Sequence, residues 1–429
     1  LDTNTTADNN VGVGYRALEA NTTGGTNTAV GTYAADANTT GSSNTALGYE
    51  ALTANTTASN NTAIGGWALA ANTTGASNVA VGANALEANT TGNYNTSMGY
   101  QAGAANTAGT EHTFIGFLAG RYTTGSGIDY NTGIGSRSLY ANTSGEQNVG
   151  VGAYSLSANT TASNNVGIGY NAGGSLTTGA ANVAVGSYAL DAATTAGDNT
   201  AVGYYALSAN TAANNTAVGY YALVANTTGH ENTALGNNAG DSITTGIGNT
   251  IIGYGADTYA VDSTYNTILG YGCIGVNSGD DDYVITMGVS SGSDRIYNLP
   301  DSNATWTRVS DERLKEEIQN NNDCGLAFVN DLRPVTFKWK PHADIPENFP
   351  DYNPKATERK RDNKMYGLIA QEVKETLDKH NITDFGGWDE MDEGVQTIAQ
   401  SMFVYPLIKA VQELSTKVED LEKQLNNKE

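Results

Sequence analysis

The stretch Asn61-Thr-Ala-Ile-Gly-Gly-Trp-Ala-Leu-Ala-Ala-Asn-Thr-Thr-Gly-Ala-Ser77 decides the fold. The next residues, Asn78-Val-Ala-Val-Gly-Ala-Asn-Ala-Leu-Glu-Ala-Asn-Thr-Thr-Gly-Asn-Tyr94, repeat it at once. Counting outward on the opening asparagine gives Asn10, Asn27, Asn44, Asn61, Asn78 and Asn95, a step of 17 each time. His112 takes the next slot, and a two-residue insertion shifts the phase to Asn131. Asn148, Asn165, Asn182 and Asn199 follow at 17, Asn215 at 16, and Asn232, Asn249 and Asn266 at 17 again, sixteen units in all. With the asparagine as position 1, the consensus is Asn-Thr-Ala-Val-Gly-Tyr-x-Ala-Leu-x-Ala-Asn-Thr-Thr-Gly-x-x.

A 17-residue unit is too short for a helical pair, and a unit that cannot bury its own apolar face must stack on its neighbours. Position 4 is aliphatic (Val30, Leu47, Ile64, Val81, Val218), and position 2 is apolar in several units (Val11, Val79, Val149, Val183). Strand alternation puts positions 2 and 4 on one face, which is the expected inward face. Gly at position 5 permits a tight turn. Ala-Leu at positions 8 and 9 is the expected second short strand, with Leu18, Leu52, Leu69, Leu86 and Leu207 pointing inward. Asn-Thr-Thr-Gly is turn chemistry. The expected fold is mainly β, a parallel β-solenoid of about sixteen 17-residue coils over residues 1–283. At roughly 4.8 Å per coil the rod is about 75 Å long. So thin a core predicts oligomerisation.

Charge divides the chain. The 429 residues carry 21 Lys and Arg against 44 Asp and Glu, a net charge of −23. Residues 1–309 hold no lysine and five arginines, Arg16, Arg121, Arg137, Arg295 and Arg308. An acidic balance of this kind excludes phosphate-backbone recognition, so no nucleic-acid partner is expected. No run of 18 apolar residues exists, so no membrane insertion as a helix is expected. Two cysteines (Cys273, Cys324) and four histidines leave little for a disulfide scaffold or a metal centre, and no cofactor is expected. Asp280, Asp281 and Asp282 lack a calcium loop around them and read as an end loop. The chain opens at Leu1, which reads as a fragment, or a processed chain, lacking its true N-terminus.

Two features of the repeat invite a sharper reading. Asn-Thr-Thr matches the glycosylation sequon, but a glycan on every coil would crowd the stack, so turn chemistry is expected. Aromatics recur at positions 6 and 7, doubled at Tyr204, Tyr205, Tyr220 and Tyr221. These four are the candidate ligand-stacking residues, with subunit-interface filling as the alternative.

Residues 284–309 read as a β-rich connector, and residues 310–429 as an α+β domain. Its first motif is Ser310-Asp-Glu-Arg-Leu-Lys-Glu-Glu-Ile318. In one reading Ser310 is a helix N-cap, with Asp311 and Glu312 favoured by the N-terminal dipole. At the far end Val404, Leu407, Val411, Leu414, Val418, Leu421 and Leu425 are spaced 3, 4, 3, 4, 3, 4, an a/d seam predicting a coiled-coil helix over 404–425. Val at a with Leu at d is a pattern that mildly favours dimers.

Two resemblances sharpen these expectations. Asn-Thr-Ala-Val-Gly and its variants resemble the head repeat of YadA-like trimeric autotransporter adhesins, and similar repeats occur in phage tail fibres. The resemblance implies a trimeric left-handed parallel β-roll used for adhesion. The period here is longer, and that family's C-terminal membrane barrel is not read in this sequence. Ser310-Asp-x-Arg-Leu-Lys315, Leu332-Arg-Pro-Val-Thr-Phe-Lys-Trp-Lys340, Gly367-Leu-Ile-Ala-Gln-Glu-Val373 and Ala410-Val-Gln-Glu-Leu414 resemble the self-cleaving intramolecular chaperone at the end of endosialidase-type tail spikes. That resemblance implies a Ser–Lys dyad, with Ser310 as nucleophile and Lys315 as general base, cutting once between Val309 and Ser310. The lysine must be neutral to take the hydroxyl proton, which requires desolvation or a nearby cation. Five residues turn a helix by about 140°, so Ser310 must sit outside any helix that carries Lys315.

The resulting expectation is a homotrimeric phage tail fibre or adhesin on the virion. Its partners would be a host receptor or polysaccharide and, through the missing N-terminal region, other tail proteins. Any enzyme activity would be single-turnover autoproteolysis. A tail-spike polysaccharide depolymerase with its catalytic domain upstream of Leu1, and an adhesin on a bacterial cell surface, are the competing classes.

Overall fold

Every coil contributes one three-residue strand at positions 2–4, from β1 (Val11–Val13) and β2 (Thr28–Val30) through to β16 (Thr267–Leu269). The computed structural model describes residues 3–125, 130–276, 283–289, 295–298, 307–308, 318–338, 340–346, 354–355, 364–390 and 396–427. It divides into two units, residues 1–311 and 312–429.

In the first unit each strand pairs in parallel with the next, like position on like: Val13↔Val30, Val30↔Leu47, Leu47↔Ile64, Ile64↔Val81. The sixteen-coil parallel solenoid is therefore present, but its strands are turned the other way from expectation. Position 3 points inward, and Ala29, Ala46, Ala63 and Ala80 are buried. Val30, Ile64, Val81 and Val218 do form a ladder, but it faces outward and is only half-buried, while Leu47 is 45% exposed. The reason is width. Position 3 looks across the coil onto the leucine of position 9: a Cβ added at Gly167 would stand 2.8 Å from Leu156 Cγ. Only Ala or Gly fits there once leucine has filled the other side.

Position 9 is that inward leucine, with Leu18, Leu52, Leu69, Leu86 and Leu207 fully buried, but it lies in no second strand. The leucines sit in left-handed backbone, as at Leu18 (φ 53°) and Leu86 (φ 48°). A left-handed L-residue costs about 1–2 kcal/mol. It aims the side chain inward while leaving the amide in the inter-coil ladder, where Leu52 N donates to Ala68 O at 2.9 Å. The glycine of position 5 is required for another reason. At Gly31 (φ 141°) a Cβ would meet the Gly48 carbonyl oxygen of the next coil at 2.3 Å.

Two asparagine columns complete the interior. At position 1, Asn27, Asn44 and Asn61 stack as expected: the Asn44 amide donates to Asn27 Oδ1 at 2.9 Å, and the Asn61 amide to Asn44 Oδ1 at 3.0 Å. At position 12 the side chains bond each other directly. Asn38 Nδ2 donates to Asn21 Oδ1, and Asn55 Nδ2 to Asn38 Oδ1, both at 2.8 Å. Buried amides are satisfied coil by coil. The second column is interrupted at Thr123, Leu176, Ala193, Ile243 and Ala260. At two of these Gly also replaces the position-9 leucine and an aliphatic residue enters from position 12 instead, Leu176 beside Gly173 and Ile243 beside Gly240.

After β16, β17 (Ile285–Gly288) adds one more parallel rung. β18 (Arg295–Asn298) and β19 (Thr307–Arg308) then run antiparallel. The second unit holds α1 (Leu326–Asp331), β20 (Val335–Phe337), β21 (Met365–Gly367), α2 (Ala370–Lys379), β22 (Trp388–Glu390), β23 (Gln396–Ile398) and α3 (Val404–Asn426). β20–β21 and β22–β23 are two small antiparallel pairs. Its core is Cys324, Phe328, Val373 and Leu377. Neither Cys273 nor Cys324 forms a disulfide.

Candidate functional site

The second unit is tied together by one cap between residues far apart in sequence. The first helical amide of α1, Leu326 N, donates to Glu413 Oε2 of α3 at 2.8 Å, across 87 positions of sequence. A carboxylate at a helix N-terminus satisfies an orphan amide and meets the positive end of the helix dipole. At the other end of α1, Asp331 lies between Lys379 Nζ (2.9 Å) and His380 Nε2 (2.6 Å). These bonds, Lys379 first, hold its carboxyl below the usual aspartate range. Arg333, from the Leu-Arg-Pro motif, forms a fork with Glu372 of α2. Trp388 Nε1 donates to Ala370 O at 3.1 Å, tying β22 to the start of α2.

α3 turns Pro406 and Ala410 into this packing and leaves its seam outside. Val404, Leu407, Val411, Leu414, Val418, Leu421 and Leu425 are each 45–68% exposed. The seven a/d positions, over about six turns of helix, have no partner among the described residues of the chain. Val309, Ser310 and Lys315 lie outside the described residues, as do Asp280, Asp281 and Asp282.

On the rod, the expected aromatic stripe is a connected track. Tyr154, Tyr170, Tyr188, Tyr205 and Tyr221 follow one another at ring separations of 6.0, 5.3, 4.8 and 5.4 Å. Tyr204 and Tyr220 form a second, stacked row beside them, 5.6 Å apart. Tyr170, Tyr204 and Tyr220 are exposed. Crowding raises the phenol pKa of Tyr205 and Tyr220, through lost hydration first and neighbouring tyrosines second. The four candidate residues Tyr204, Tyr205, Tyr220 and Tyr221 are thus in mutual contact.

The sequons do not present glycan acceptors at position 12. Asn21, Asn55, Asn72 and Asn89 are fully buried, with their side-chain amides committed to the ladder. Sequence reading missed a group that leads into the tyrosine track. Arg137 lies over Tyr140 (5.8 Å) and Tyr154 (5.7 Å), and Arg121 lies over Tyr122 (5.0 Å). Its signal was two of the five arginines of residues 1–309 standing on and beside the one over-length unit. Among the described residues no helix is long and apolar enough to cross a membrane.

No curated protein and no solved structure matches the chain. Residues 310–382 match the family model described as chaperone of endosialidase, the stretch that opens with Ser310 and runs through α1, β20, β21 and α2.

Proposed function

We propose that the chain is a homotrimeric attachment fibre. Its β-solenoid is the shaft, and its C-terminal unit is an intramolecular chaperone that sets the trimer and then cuts itself off between Val309 and Ser310. The match of residues 310–382 to the chaperone of endosialidase family carries this reading.

Two unpartnered stripes support it. In all sixteen coils position 4 is Val, Ile, Leu or Met, from Val13 to Leu269, and that column faces outward. The α3 seam is likewise uncovered. A contiguous apolar surface of this kind marks an association site, and a second and third copy supply the matching stripes. The need for a chaperone follows from the repeat. Near-identical rungs accept slipped pairings, since one coil looks like the next. Long-range β pairing is also slow. A globular unit that brings three chains together at one end starts them in phase, and its later removal leaves the rod kinetically trapped.

Solution mass of the purified full chain tests the reading, with three chains expected and a stable monomer overturning it. Val411→Asp with Leu414→Asp should give monomers or aggregates rather than ordered rods, because charge is placed in the seam.

A further inference from the structure

We propose that Lys417 and Glu422 of α3 set the orientation and register of the assembled copies, each lysine pairing with the glutamate of the next copy's α3, while Ile408 widens the seam to admit a third helix. The proposal deepens the homotrimer reading and rests on it. With Val404, Val411, Val418 and Leu425 at a and Leu407, Leu414 and Leu421 at d, Lys417 falls at g and Glu422 at e, on the two flanks of the seam. Both are exposed. Four other charges of α3 pair within the helix, Lys409 with Glu413 at 3.9 Å and Lys423 with Asp420 at 3.8 Å. Lys417 and Glu422 form no ion pair among the described residues. Glu419 forms none either, but it stands at b, on the side away from the seam.

In a parallel coiled coil a g side chain reaches the e side chain five residues further along the neighbouring helix. Lys417 of one copy therefore meets Glu422 of the next when the helices are parallel and in register. An antiparallel arrangement sets g against g and e against e, so the two charges never meet. A slip of one heptad sets Lys417 against Ser415, or past Asn426, the last residue of α3. Lysine on one flank and glutamate on the other make α3 complementary to itself, which selects a second copy of this chain as the occupant. Helix number is decided in the first half of α3. Val at a with Leu at d by itself favours two strands. Here the g flank is turned into the chain's own packing, with Ala410 buried, while the e flank is open. Ile408, 50% exposed at e, continues the apolar face of Val404, Leu407, Val411 and Leu414. An a/d/e face is broader than an a/d seam and can cover more than one neighbour.

The test uses the full chain refolded from denaturant, carrying Ser310→Ala so that α3 stays attached, with assembled mass read by light scattering at low and at ~0.15 M salt. Lys417→Glu and Glu422→Lys each place like charges at every interface. Each should raise the chain concentration needed for half-maximal trimer about tenfold at low salt, and by less at ~0.15 M. The double reversal exchanges the ends of the pair and should return to within about twofold of the unreversed chain. Leu425→Cys reads the orientation, because like residues of a parallel, in-register seam share one layer. Oxidation with glutathione disulfide should link two chains of each trimer and leave the third free on denaturing gels. Ile408→Gln should shift the assembled mass from three chains towards two. Single reversals without effect, a double reversal no better than the singles, or Leu425→Cys chains that do not link would each overturn the pairing, and an Ile408→Gln chain that stays fully trimeric would overturn the role of Ile408. A trimer of correct mass that ignores both reversals would leave the homotrimer reading standing. A stable monomer of the unreversed chain would overturn both.

Discussion

The ring of Phe114 occupies the space that the position-9 leucine fills in a regular coil: a Cβ added at Gly120 would lie 2.4 Å from Phe114 Cδ1, and one at Gly103 3.1 Å from Phe114 Cδ2. Phe114 stands at position 3, where other coils carry mostly Ala or Gly, and the glycines at position 9 of its own and the preceding coil make room for it. Volume has been moved from one wall of the coil to the other.

That exchange predicts coupling between the two positions. Phe114→Ala should cost about 3–5 kcal/mol by opening a cavity. Gly120→Leu alone should also destabilise, by overpacking. The double variant should be less destabilised than the sum of the singles, because it restores the regular pair. Thermal unfolding of the four proteins measures the coupling, and strict additivity would refute the exchange.

The break in the second asparagine column predicts a compensatory pair. Asn159 Oδ1 is buried with no hydrogen-bond partner, because the next coil offers Leu176 in place of asparagine. Leu176→Asn alone should destabilise by leaving space beside Gly173. Leu176→Asn with Gly173→Leu rebuilds the leucine column between Leu156 and Leu190 and supplies the missing donor. It should recover most of what Leu176→Asn loses without exceeding wild type, because the unpaired acceptor moves to residue 176, which meets Ala193 in the next coil. A double variant no more stable than Leu176→Asn alone would argue against it.

Asp257 predicts a pH dependence at the last coils. It stands at position 9, the leucine slot, is 6% exposed, and accepts from Ser242 N (3.1 Å) and Thr258 N (2.8 Å). Burial pushes its pKa from 3.8 up to about 6, with nearby Asp241 adding to the rise. A raised acid stabilises the fold when protonated. The contribution is therefore full below pH ~4 and lost as pH climbs through about 6, an effect of about 3 kcal/mol. Amide exchange at Ser242 and Thr258 should slow as pH falls through 6, after correction for intrinsic rates. In Asp257→Asn that change should vanish.

Ser310 and Lys315 predict an all-or-none pattern. Wild-type chain should split into residues 1–309 and 310–429, while Ser310→Ala and Lys315→Ala each stay whole and still assemble. Nucleophile and base act as one unit, so the double variant should lose no more than either single. Denaturing gels with N-terminal sequencing of the fragments read the outcome. A folded wild-type trimer that never splits would leave Ser310 as a helix cap.

Much of the rod was legible without coordinates. A period of 17 fixes sixteen coils, their parallel register, the stacked asparagines and the inward leucine, since equivalent residues in a stacked repeat must meet their own kind. Alternation along Thr28-Ala-Val30 defines two strand faces but not which is inside, and apolarity points to valine. Tertiary structure chose alanine, because Leu18, Leu52 and their equivalents arrive from six positions further on and leave room for a methyl group only. The aromatic column at positions 6 and 7 was legible from the period too, but the placing of Arg121 and Arg137 over Tyr122, Tyr140 and Tyr154 was not, because it depends on where the closed coil directs each side chain. Period and composition are properties of the chain alone. Which side of a strand is buried depends on the space its neighbours leave, and that exists only once the coil has closed.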